Sequence, residues 1–172
     1  MRHTRTNETE YRIWQAWSEL RRGAAARRLR KSVLADPEGR PLDVPQVDTL
    51  RAVVRNDGML MGDVARALVI DPSTATRAID KLEDRGLVRR ERLTENARFI
   101  KVTPTEHGRE TVAHIDANEW HYMKLITRRI RKADREKLAE LMEALLDGLD
   151  NVFADEMANG HQERAPAGTH PR

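Results

Sequence analysis

The chain has 172 residues, of which 34% are charged and only 4% aromatic, and 31 Lys+Arg against 28 Asp+Glu leave a net charge of +3. This length can bury one hydrophobic core plus an extended helical interface, and the small positive excess permits an anionic partner without demanding one. Cysteine is absent, which excludes disulfides, thiolate zinc sites and thiol redox chemistry. The first residues lack the apolar run of a signal peptide, and no stretch approaches the roughly twenty apolar residues of a membrane span, so a cytoplasmic protein is expected.

After a polar lead, residues 1–8, expected to be flexible, residues 9–34 read as one long helix. Tyr11, Trp14, Trp17 and Leu20 recur at three-residue steps and gather the scarce aromatic side chains on one face. Such a stripe packs against its own chain, pairs with a second subunit, or lines a ligand cavity. Arg27, Arg28, Arg30 and Lys31 suit a solvated face near the helix C-terminus. Residues 36–41 form a loop by composition. Asp43 stands three residues before Gln46, a spacing close to a capping box. The helix it opens carries Val47, Leu50, Val53 and Val54 and ends at Asn56-Asp57-Gly58. A short helix over residues 62–68 then turns Val64, Ala65 and Leu68 inward.

Residues 71–86 form an amphipathic helix with a marked start and stop. Asp71 is placed to cap free backbone N–H groups, Pro72 fits the first position, and Gly86 suits the left-handed residue that ends a helix. Ala75, Ala78, Ile79 and Leu82 make the apolar stripe. Ser73, Thr74, Thr76, Arg77 and Lys81 make the polar face, which carries short hydroxyls first and longer cations later. With the preceding helix this is a helix-turn-helix, whose second helix enters a DNA major groove. An ordinary surface helix is the alternative. Next come two β-compatible runs, residues 88–92 and 98–102, carrying Arg89, Arg90, Arg92, Arg98 and Lys101. A generic exposed hairpin also carries charge, as protection against edge pairing. A basic hairpin directly after a groove-reading helix nevertheless points to double-stranded DNA as the partner.

Thr103, Pro104 and Glu106 read as cap, first position and third position of the next helix, with an apolar line of Val112, Ile115, Glu119 or Trp120, Met123, Ile126 and Ile130. Asp134 opens a final helix bearing Leu138, Leu141, Met142, Leu145, Leu149, Val152 and Phe153. Both are longer than a small winged domain needs for its own core, so a second copy is the natural partner and a homodimer is expected. The fold class is mainly α with a small β-hairpin wing (α+β), a winged helix-turn-helix between long N- and C-terminal dimerisation helices. Residues 9–154 form one domain, with the DNA-binding part over about 42–103 and the dimerisation helices over about 9–34 and 104–154. Residues 155–172 read as a disordered tail.

The order of elements resembles the MarR family of bacterial transcription regulators. The residues that carry the likeness are Asp63-Val64-Ala65 with Leu68, Asp71 to Arg77, Leu82-Glu83, Gly86 to Arg90, and Val102-Thr103-Pro104 with Gly108-Arg109. The resemblance implies a homodimer that binds a pseudo-palindromic operator, often as a repressor, and releases DNA when a small-molecule effector binds. Three positions depart from the family pattern. Leu60 stands where Ser or Thr often caps, Val69 where Gly is common, and Glu95-Asn96-Ala97 where acidic residues usually precede the wing arginine.

Base readout is expected from Ser73, Thr74, Thr76 and Arg77, phosphate contacts from Lys81 and Arg92, and a minor-groove contact from Arg98. Arg85 is expected to pair with an acidic neighbour on its own helix. Trp14, Trp17, Met59, Met61 and Trp120 are bulky and deformable enough to line an effector pocket, though the same residues make ordinary core and dimer contacts. His107, His114 and His121 recur every seven residues, but two helical turns separate neighbours by roughly 10 Å, too far to share one ion. Glu110 and His114 are better spaced, yet lack further ligands. No metal or cofactor is expected. No nucleophile with a matched base and no glycine-rich phosphate loop is present, so an enzyme is not expected. The competing non-catalytic reading is an architectural or protein-interaction module without sequence-specific readout.

Overall fold

Good helix formers dominate the composition, and the computed structural model, which describes residues 6–92 and 99–162, is helical wherever local signals allow. The first long helix is two: α1 (Thr6–Arg22) and α2 (Ala24–Val33). Gly23 between them takes extended geometry, φ −61° and ψ 153°. A mid-helix glycine costs about 1 kcal/mol relative to alanine, so the break falls there. α1 also begins inside the lead expected to be flexible. A loop pinched by an Ala35–Pro41 bridge leads to α3 (Val44–Arg55). Its capping box is complete: the Asp43 carboxylate accepts from the Gln46 N–H, and the Gln46 side chain accepts from the Asp43 N–H, both at 2.9 Å.

Next come β1 (Met59–Leu60), α4 (Met61–Leu68), α5 (Pro72–Asp84), β2 (Val88–Arg92) and β3 (Ile100–Pro104). The three strands form an antiparallel sheet in the order β1-β3-β2. Val88 stands opposite Pro104, Arg92 opposite Ile100, and Met59 opposite Val102. The sequence reading finds the β2–β3 hairpin and misses β1, whose two residues are too few for any period to register. Because pairing continues to Pro104, the next helix, α6 (Glu106–Thr127), starts later than the sequence suggests. Its cap is Thr105 rather than Thr103: the Thr105 hydroxyl accepts from the Gly108 N–H at 3.0 Å and donates to the Gly86 carbonyl at 2.7 Å. Proline at the strand end forgoes no needed donor. Gly108 is required by close approach, since a Cβ there would lie 2.0 Å from the Leu87 carbonyl oxygen.

The chain divides after Tyr122 into two units. In the first, Leu50 and Val53 of α3, Val64 of α4, Ile79 and Leu82 of α5, Leu87, Val102 and Ile115 are all at 0% exposure and form one core. Full burial of each such side chain stabilises by about 1.5–3 kcal/mol. The second unit contains α7 (Lys132–Gln162), which starts before Asp134 and continues past residue 154 into the stretch expected to be disordered. Glu, Met and Ala there favour the helix. Along α7, Leu141, Met142, Leu146 and Val152 are more than half exposed. Among the described residues no helix is long and apolar enough to cross a membrane.

Candidate nucleic-acid interface

α5 is fixed on its inner face and open on its outer one. Ala75, Ala78, Ile79 and Leu82 are buried, whereas Ser73, Thr76, Arg77 and Lys81 are exposed and Thr74 is half-buried. The five polar residues singled out in the sequence thus share the outward side of one helix. The start differs in detail from expectation. Asp71 is the N-cap, but its side chain makes no capping hydrogen bond; its backbone carbonyl instead accepts from the N–H groups of Thr74 at 2.9 Å and Ala75 at 3.1 Å. The end is a Schellman turn on Gly86, at φ +67°. The Leu87 N–H reaches the Leu82 carbonyl at 2.9 Å and the Gly86 N–H reaches the Glu83 carbonyl at 2.8 Å, the pairing that a left-handed residue permits.

The outward groups differ in what they can still bind. The Thr76 hydroxyl donates to the Pro72 carbonyl at 2.9 Å, so only its lone pairs are available, which suits a base amine such as cytosine N4 or adenine N6. Arg77 makes no hydrogen bond or ion pair among the described residues, and its guanidinium fork suits the O6 and N7 acceptors of guanine. Lys81 is engaged: its ammonium lies 3.0 Å from the Asp43 carboxylate. Any anion that Lys81 is to bind has Asp43 as a competitor.

The hairpin is less cationic outward than its sequence suggests. Arg90 turns back onto α5 and pairs with both Asp80 and Glu83 at 2.5 Å. Arg89 sits 2.7 Å from Glu91 and donates to the Thr103 hydroxyl. Lys101 is half-buried. Arg92, exposed at the end of β2, makes no ion pair among the described residues and is the hairpin cation open to a phosphate. Arg98 and the preceding Glu95-Asn96-Ala97 lie outside the described residues.

A buried ion pair that the sequence reading misses holds the far end of α5. Arg85 does not pair along its own helix. It pairs with Asp36, in the loop between α2 and α3, at 2.6 Å, and donates to the carbonyls of Pro41 and Arg40 at 3.0 and 2.9 Å. The Asp36 side chain is at 0% exposure. Burial by itself pushes its pKa up, but hydrogen bonds from Arg85 and from the Arg40 backbone and guanidinium outweigh that and hold it below the ordinary carboxylate value. No spacing signal could have found a pair 49 residues apart. A second long-range pairing ties α3 to α6, where Arg51 reaches Asp116 at 2.6 Å and Glu119 at 2.5 Å. Glu119, considered for the apolar line of α6, thus belongs to an ion pair.

The five residues considered for an effector pocket are dispersed by environment. Met59 and Met61 pack against the core. Trp14, Trp17 and Trp120 are exposed, at 56%, 38% and 62%, and Trp14 stacks on Tyr11 with centroids 5.8 Å apart. Met59 lines a cleft with Asn56, Gly58, Leu60, Asp63 and Lys101, which contains none of the tryptophans. His107 approaches Glu38 at 3.6 Å, and His121 meets Tyr122 edge-on. Among the described residues no three His, Asp or Glu side chains converge on a metal site.

A buried helical frame that presents a polar helix beside an antiparallel wing defines a winged helix-turn-helix protein. Residues 41–98 match the sequence model of the MarR family. The HTH-type transcriptional regulator YdgJ of Bacillus subtilis is 24% identical over 109 residues, 63% of this chain and 66% of that protein. Among solved structures, the YusO protein of Bacillus subtilis aligns at TM-score 0.66 and 17% identity, over 84% of this chain and 99% of its own. The transcriptional regulator BldR of Sulfolobus solfataricus aligns at 0.60 and 20%, over 88% and 99%. The structural likenesses establish the fold. The sequence match ties residues 41–98 to the MarR family, a family of DNA-binding transcription regulators.

Proposed function

We propose that the protein is a homodimeric, sequence-specific DNA-binding regulator of the cytoplasm, acting as a ligand-responsive repressor on a pseudo-palindromic operator. The observation that carries the reading is the outer face of α5, where Ser73, Thr76 and Arg77 are exposed on a helix locked from behind by buried Ala75, Ile79 and Leu82. A rigid helix with unengaged polar groups reads base edges at little entropic cost. Arg92, and Lys81 once released from Asp43, add phosphate contacts, and Arg98 of the wing enters the minor groove. Residues 9–154 act as one domain in this reading, with the DNA-binding part over 42–103 and the flanking helices serving dimerisation. Exposed aromatic and leucine side chains on α1 and α7 support a second copy as partner. Effector release draws its support from the family alone.

Selection of bound fragments from genomic DNA, followed by titration at physiological salt, tests this. The selected site should bind about 10³-fold or more tightly than random DNA. Equal affinity for both would leave only an architectural DNA binder. In the same assay Arg77→Ala should cost about 1–3 kcal/mol and relax the preference at one base step. Uniform weakening on every sequence would reassign Arg77 to a phosphate.

A further inference from the structure

The turn between α4 and α5 contains a residue that folding alone does not account for. Val69 has φ +52° and ψ 46°, the left-handed region. Glycine and asparagine occupy that region readily, whereas for a β-branched side chain it is strained. Burial does not offset the strain, because Val69 is 91% exposed. Nor do the hydrogen bonds of the turn need a valine: the Val69 N–H donates to Arg66 and the Ile70 N–H to Ala65, both through backbone atoms. Within the chain the Val69 side chain is therefore a cost without a return.

Its surroundings supply a reason. Val69 lines an open cleft of about 750 Å³ together with Ala65, Arg66, Ile70, Asp71, Pro72 and Thr74. Thr74 is on the face of α5 expected to read bases, so the cleft continues that surface onto the turn. Strained residues persist where the strain serves a site, and the exposed group here is purely apolar. DNA offers two apolar features to such a group, the C5 methyl of thymine and the face of a deoxyribose.

We propose that Val69 is a DNA-contacting residue, making an apolar contact with the operator that extends the reading surface from α5 onto the preceding turn. This rests on the DNA-binding reading above, and the wild-type ratio of selected-site to random affinity tests that reading separately, before any variant is made. Val69→Asn and Val69→Gly both suit the left-handed backbone and remove the apolar group. Each should raise the Tm, by about 2–4 °C for the asparagine variant. Each should also weaken operator binding by about 3- to 10-fold at fixed salt. Stability and binding thus move in opposite directions, which loss of folding cannot imitate. A loss confined to the operator, and reproduced in the wild type by replacing one thymine with uracil, identifies the methyl group. An equal loss on random DNA identifies the sugar. Variants that bind the operator as tightly as the wild type, or that gain no stability, would overturn the proposal.

Discussion

Leucines on the middle helices and leucines on the last helix meet opposite fates. Leu50 and Leu82 are at 0% exposure, whereas Leu141 and Leu146 are each at 57%. α3 and α5 are short, and the chain turns back so that α3 packs on α4, α5 and β3, and α5 on α3, α4 and β2. α7 is 31 residues long, and Leu141, Met142, Leu146 and Val152 along it are more than half exposed. The first unit completes its own core. The last helix leaves its apolar side chains exposed, the surface on which the proposed pairing rests.

The contrast breaks most severely if α7 is made polar. Replacing Leu141, Leu145 and Leu149 together by glutamate should leave the first unit folded by circular dichroism. Sedimentation should then report a monomer, and operator affinity should fall by about 10²- to 10⁴-fold, because two linked half-sites become one. An unchanged dimer would move the interface away from α7.

Within the first unit, the largest single effect should come from Asp36. Asp36→Asn removes the charge that faces Arg85 and should destabilise by roughly 3 kcal/mol, the lower end for breaking a buried pair, since Arg85 keeps some contact with water. The pH dependence follows from the direction of its shift. A carboxylate held below its unfolded value contributes stability above that value and loses it as pH falls through the folded pKa. The gap between wild type and variant should therefore be full at neutral pH and close below about pH 4. Urea titrations at pH 7 and pH 3 measure it, and a gap independent of pH would remove Asp36 as its source.

The smallest effect concerns the pair of Lys81 and Asp43. Asparagine caps a helix about as well as aspartate, so Asp43→Asn should keep α3 intact while releasing Lys81. Affinity for DNA of any sequence should rise by about two- to fivefold, as expected for an exposed ion pair, with a steeper salt dependence. Unchanged affinity would mean that Lys81 does not reach a phosphate.

Local chemistry made part of this structure legible in advance. The capping box of Asp43 and Gln46, the stop at Gly86 and the alternation of buried and exposed positions on α5 all follow from residues within one turn of each other. The exposed face of Ser73, Thr76 and Arg77 was legible for the same reason. Contacts across the chain left no such trace. Arg85 with Asp36, Arg90 with Asp80 and Arg51 with Asp116 depend on how elements pack, and the first takes Arg85 away from the partner expected on its own helix. β1 is too short for periodicity, and the cap of α6 falls on Thr105 rather than the expected Thr103 because strand pairing runs on to Pro104. Val69 was visible as a departure, but its exposure and left-handed backbone were not.

In the proposed function, two copies of α5 read two half-sites at a distance set by the chain's own pairing. Binding to duplexes in which the spacing of the selected half-sites is varied tests it most directly. With half-site centres about 10–10.5 base pairs apart, or a multiple of that, two chains should bind each duplex tightly. Inserting about half a turn, some 5 base pairs, should rotate the second site away and cost most of the affinity. Affinity indifferent to spacing, or one chain bound per duplex at full strength, would contradict it.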